Sequence, residues 1–112
     1  MQVRREGKDV LIRMDPGEEM VATLIQWARE NGVPSAVITG LGAVEDVSLG
    51  YFDLKAGHYV EIPVPRHVEI VSLDGSLAVM DGEPHLHLHV TVSSSGGSCT
   101  SIRSRADRTV SW

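Results

Sequence analysis

The amino-acid sequence predicts an α+β domain in which an antiparallel-rich sheet packs its apolar face on a single helix. Three observations carry that expectation. The chain has 112 residues, 42% of them hydrophobic, the size of one compact domain with one core. A single stretch, after residue 15, places apolar residues at helical spacing between start and stop signals. Five or six short apolar runs joined by hairpin-type turns fill most of the remainder.

In chain order, residues 8–14 read as a strand with Val10 and Ile12 on one face. Asp15-Pro16-Gly17-Glu18 ends that strand and starts the helix. Asp15 is the expected cap, Pro16 suits the first helical position, and Glu18 stands at capping-box spacing. Met20, Val21, Leu24, Ile25 and Ala28 form the apolar stripe, with Trp27 beside it. Gly32 and Pro34 end the helix near Asn31. Ser35 to Thr39 is nearly all apolar and reads as a central strand. Gly40-Leu41-Gly42 reads as a tight turn with close backbone approach. A phosphate-cradling loop would feed a helix N-terminus, whereas Val44 to Phe52 is strand-like.

The loop Asp53–Gly57 joins that strand to His58–Ile62 as a hairpin. Pro63 and Pro65 interrupt the chain before a strand over Val68–Leu73, an Asp74-Gly75 turn and a strand over Ser76–Met80. Asp81-Gly82 then turns into the most distinctive stretch, in which His85, His87, His89 and Thr91 alternate with Leu86, Leu88, Val90 and Val92. The second set is core. The first places three of the five histidines on one strand face. Residues 93–98 read as an exposed loop, and Cys99 to Trp112 shows only a weak strand pattern around Thr109-Val110.

Composition narrows the partners. A net charge of −5 supplies no global attraction to a nucleic-acid backbone or an anionic membrane, though a local basic patch is compatible with it. One cysteine, Cys99, precludes an intramolecular disulfide framework, and the start of the chain lacks the apolar centre of a signal peptide. No apolar run approaches the roughly 20 residues that span a bilayer. The expected compartment is the cytoplasm.

Five stretches, in order over about residues 8–92, resemble the plants-and-prokaryotes-conserved (PPC) domain family. They are Asp15 to Glu19 with the following helix, Ile38-Thr39-Gly40-Leu41-Gly42-Ala43, Leu49-Gly50-Tyr51-Phe52-Asp53, Val68 to Gly75, and Gly82 to Val90. The resemblance implies an α/β (α+β) fold with a mixed, mainly antiparallel sheet around one main helix, a single domain over 1–112, and a homotrimer. Plant members join such domains to AT-hook segments in nuclear DNA-binding proteins; stand-alone prokaryotic members carry a DNA-binding label without a settled function. This chain has no Arg-Gly-Arg-Pro hook. Similar proteins also carry Gly-Gly-His on a later strand, whose histidine joins a His-x-His pair around a metal. The equivalent place falls near Ser101-Ile102-Arg103, so residues 93–112 form a divergent tail.

A His-x-His pair on a strand sets two imidazoles on one side about 7 Å apart at the backbone, able to converge on one ion. The resemblance selects His87 and His89 as metal ligands, with zinc the first choice on imidazole chemistry. His85 is an additional candidate: a third ligand, a supporting group or polar surface. Remaining ligands would come from Cys99, His58, His67, an acidic side chain, water or a neighbouring subunit. Glu69 and Arg66 read as an ordinary solvated pair, with a pairing across a subunit contact as the alternative. Three functions follow: a non-enzymatic oligomeric binding or regulatory module resembling DNA-binding PPC proteins; a zinc-dependent enzyme using metal-bound water with Glu83 or another acid as base; and a purely structural homo-oligomer.

Overall fold

A computed structural model describes residues 1–64 and 67–93, and the backbone of 99–104. Strands β1 (Gln2–Glu6) and β2 (Asp9–Arg13) form a hairpin that leads into helix α1 (Met20–Asn31). Strands β3 (Ala36–Val44), β4 (Val47–Asp53), β5 (His58–Val64), β6 (Val68–Met80), β7 (Glu83–Ser93) and β8 (Cys99–Ser104) follow. The main sheet has the order β3-β6-β7-β8, and β4-β5 is a separate two-stranded sheet. All the described pairings are antiparallel, in keeping with the expected α+β class.

Alternation in β6 and β7 divides the main sheet into two faces. Leu86, Leu88, Val90 and Val92 of β7 and Val68, Ile70, Leu73 and Leu77 of β6 are buried in one cluster with Met20, Val21 and Ala28 of α1. Val44, Val47 and Leu49 belong to the same cluster. This packing fixes the register, because a one-residue slip of β7 would move its four buried aliphatics out and its histidines in.

The helix begins later than the sequence suggests. Gly17 adopts φ +90°, which interrupts helical geometry, and Glu19 rather than Asp15 caps the helix. Its carboxylate accepts from the Val21 and Ala22 amides at 3.3 and 2.6 Å. Asp15-Pro16-Gly17-Glu18 is instead a turn, in which the Asp15 amide donates to Glu18 Oε2 at 2.8 Å. The Met1 ammonium reaches Asp15 Oδ2 at 2.6 Å and Glu18 Oε1 at 3.0 Å. These hydrogen bonds raise the amine above its ordinary value and hold the Asp15 carboxyl below its own. The Glu18 carboxyl is lowered first by the Asp15 amide and then by the ammonium. At the other end Gly32, at φ 62°, closes the helix as expected.

Three further expectations are corrected. Among the described residues the strand after the helix lies at an edge of the sheet rather than its centre, with Val37 87% exposed. Gly40-Leu41-Gly42 is no turn: it lies within β3, where the register against β6 shifts between Gly40 and Gly42 as in a β-bulge. Asp74-Gly75 is no turn either, since β6 runs unbroken for 13 residues. Gly75 has a packing reason. A Cβ there would overlap the His87 carbonyl oxygen and stand 2.5 Å from Leu88 Cδ2 and 3.1 Å from Leu88 Cα. Strands β1 and β8 are additions to the sequence reading, while Thr109-Val110 lies outside the described residues.

Candidate metal centre

The outer face of the main sheet is built on β7. Ser76 of β6 stands opposite His87, Asp74 opposite His89, and Ala78 opposite His85. Thr39 of β3 stands opposite Asp74 in turn. Directly opposed residues share a face, so the aliphatic side of β7 packs inward and its imidazoles rise beside a carboxylate and two hydroxyls. Asp74 was hidden in the sequence by its turn-like partner Gly75; only the continuity of β6 places it on this face.

His87 Nε2 and His89 Nε2 are 3.1 Å apart, with ring centroids 5.1 Å apart and planes tilted by 53°. In the neutral pair one nitrogen donates to the other. The spacing also matches two ligands of one ion: imidazole nitrogens about 2.0–2.1 Å from a tetrahedral centre lie about 3.3 Å apart. The pair could supply two of a metal's ligands once neither facing nitrogen carries a proton. Among the described residues no group of three or more His, Cys, Asp or Glu side chains is placed to hold a metal ion. The donor set fits a metal in type and spacing, with no third ligand placed beside the pair among the described side chains.

The remaining candidates with described side chains lie in different places. His85 and His87 line a cleft of about 460 Å³ with Phe52, His58, Tyr59 and Met80. His67 Nε2 lies 2.8 Å from Glu45 Oε2. Glu83 Oε2 lies 2.9 Å from Arg29 Nη2 on α1, so the carboxylate considered as a base ties β7 to the helix. Glu69 is exposed on β6, and Arg66 lies outside the described residues, as does the side chain of Cys99. The backbone of β8 pairs Arg103 with His89 and Ser101 with Thr91, which puts the position expected for Gly-Gly-His beside the histidine pair. The aromatic and thioether lining of the cleft was not read from the sequence, because it depends on how the β4-β5 hairpin lies relative to the main sheet.

The family model described as the Plants and Prokaryotes Conserved (PCC) domain matches residues 1–101. A structure described as a "putative dna binding protein" from Bacteroides thetaiotaomicron is similar, with TM-score 0.89 and 26% identity, over 97% of this chain and 74% of that one. A plant- and prokaryote-conserved (PPC) protein from Pyrococcus horikoshii gives TM-score 0.79 and 29% identity over 82% and 64% of the two chains. A metal-containing protein from Archaeoglobus fulgidus gives TM-score 0.81 and 27% identity over 90% and 69%. No curated protein sequence matches this chain.

Proposed function

The chain belongs to the Plants and Prokaryotes Conserved (PCC) domain family, and from that premise we propose that it is a non-enzymatic, oligomeric binding module holding zinc through His87 and His89. The 3.1 Å separation of the two Nε2 atoms carries this reading. It presents two nitrogen donors at the spacing a single ion requires. The metal content stated for the similar Archaeoglobus fulgidus protein supports it. Zinc bound here would act as a fixed cross-link between imidazoles. The third ligand is assigned to His85, Cys99 or a residue of another copy.

Association as a homotrimer is part of the proposal. Exposed Val37, Leu41, Val71 and Val79 give the surface apolar area that a partner copy can cover. DNA is proposed as a partner from the description of the Bacteroides thetaiotaomicron structure. Against the net charge of −5, the β1-β2 hairpin offers local basicity through Arg4, Arg5, Lys8 and Arg13, four of the ten Lys and Arg residues. No helix among the described residues is long and apolar enough to cross a membrane; a cytoplasmic location belongs to this proposal.

Metal analysis of freshly purified wild type beside His87→Ala/His89→Ala, combined with native mass measurement, tests the reading. The expected result is zinc bound by a trimeric wild type and lost from the variant. Wild type that stays metal-free after zinc addition overturns the metal assignment, and a monomer overturns the assembly. Duplex DNA binding should be strongest at low salt; none there removes DNA as a partner.

A further inference from the structure

We propose that the cleft beside the histidine strand binds a small neutral aromatic molecule carrying a hydrogen-bond donor, of which phenol is the simplest case. Its volume is about 460 Å³. That falls within the roughly 300–1,000 Å³ of small-molecule sites and exceeds the roughly 150 Å³ that accommodates benzene in an engineered cavity. One or two fused rings fit. The Phe52 and Tyr59 rings on one wall meet edge to face, with centroids 5.1 Å apart and planes at 72°. Aromatic pairs prefer this geometry, and together with the Met80 thioether they favour a further ring. Gly57 adds no side chain to the lining, and a Cβ built on it meets nothing within 4 Å.

The polar side of the cleft selects the ligand's hydrogen-bonding character. His58 Nδ1 lies 3.1 Å from the Tyr59 carbonyl oxygen. A carbonyl can only accept, so in the neutral ring the proton sits on Nδ1 and Nε2 keeps its lone pair. The nitrogen left to a ligand is an acceptor, and its complement is an O–H or N–H. A carboxylate would face that lone pair in a chain of net charge −5. A purely apolar ring would cover the imidazoles of His58 and His85 and offer them no hydrogen bond. The described residues place no three-ligand metal group here. A neutral aromatic donor satisfies both walls.

This inference does not rest on the metal reading, so the test is run on the full chain both as purified and after EDTA treatment. Phenol, toluene and benzoate are titrated into wild type, His58→Phe and His58→Gln, with binding followed by saturation-transfer NMR. Saturable phenol binding is expected with and without EDTA, about fivefold tighter than toluene, the factor expected of one neutral hydrogen bond. Benzoate should bind more weakly than phenol. His58→Phe should bring phenol and toluene to equal affinity, and His58→Gln, which restores an acceptor, should recover part of the difference. The proposal is overturned if wild type shows no saturable phenol binding, binds phenol no better than toluene, prefers benzoate or binds phenol only with zinc present. Retention of the phenol preference in His58→Phe also overturns it.

Discussion

Gly75→Ala tests the packing beneath the histidine strand. The new methyl would overlap the His87 carbonyl oxygen and lie 2.5 Å from Leu88 Cδ2, so atoms must separate by at least about 0.9 Å to reach ordinary contact. Leu88 is 1% exposed and has no room to swing outward. The other contact is main chain paired across β6 and β7. Overpacking of this kind costs about 3 kcal/mol, and the stiffer unfolded chain of alanine returns up to about 1 kcal/mol. A net loss of about 2 kcal/mol lowers the midpoint of thermal unfolding by roughly 8 °C in a domain of this size. Gly40→Ala is the control: its Cβ would meet the flexible Leu73 Cδ2 at 3.4 Å, so the expected loss is below about 1 kcal/mol. Scanning calorimetry measures both. The nitrogen shifts of the His87 and His89 rings should move in Gly75→Ala and hold in Gly40→Ala, because only the first displaces the His87 main chain. If Gly75→Ala melts within about 2 °C of wild type, the reasoning from close approach fails.

The Met1 ammonium latch predicts a stability plateau between two pH limits. The lowered Asp15 and Glu18 carboxyls contribute fully above their unfolded values and lose that contribution as pH falls through their folded ones. The raised amine contributes fully below its ordinary 8.0 and is lost as pH rises through its folded value. Amino-terminal acetylation should remove the alkaline limb in thermal melts followed by circular dichroism, and an unchanged limb refutes the assignment. Leu86→Ala, at a fully buried position, should cost about 3 kcal/mol in urea unfolding; a loss under about 1 kcal/mol would show that β7 is not held in this register. The Arg29–Glu83 pair is half to two-thirds exposed, so a double-mutant cycle should return less than about 1 kcal/mol of coupling. A larger value would assign the pair a greater part in docking α1.

What the sequence could convey depended on whether a residue's reason was local. Leu86, Leu88, Val90 and Val92 declared one face of β7 by alternation alone, and His85, His87 and His89 followed as the other. Gly75 misled because the same residue serves a turn and a close approach, and only the presence of His87 and Leu88 beneath it distinguishes them. Gly40 and Gly42 misled in the same way, at a bulge instead of a reversal. Strand β1 gave no burial pattern because all five of its residues are exposed. It is held by pairing to β2 and by Arg5, which bonds Asn31 at 3.1 Å and lies 5.7 Å from the Trp27 ring centroid. The site divides similarly. The His87–His89 spacing is a property of one strand, whereas the cleft requires a hairpin some thirty residues earlier in the chain.

The Asp81-Gly82 connection has a consequence for the order in which the molecule is made. Both residues have positive φ, 52° and 78°, and the strands pair immediately on either side, Met80 with Glu83. This is the two-residue reversal whose twist suits antiparallel strands, and closing so short a loop costs little entropy. Pairing can then spread outward residue by residue towards Glu69 and Ser93, so the two imidazoles come together through neighbours in sequence. The nucleus of folding and the candidate centre are expected to be the same hairpin. Destabilising substitutions at Ala78 and Leu86 should slow refolding nearly in proportion to the stability they remove, while those in α1 should mainly speed unfolding. The opposite partition in stopped-flow kinetics would place the nucleus elsewhere.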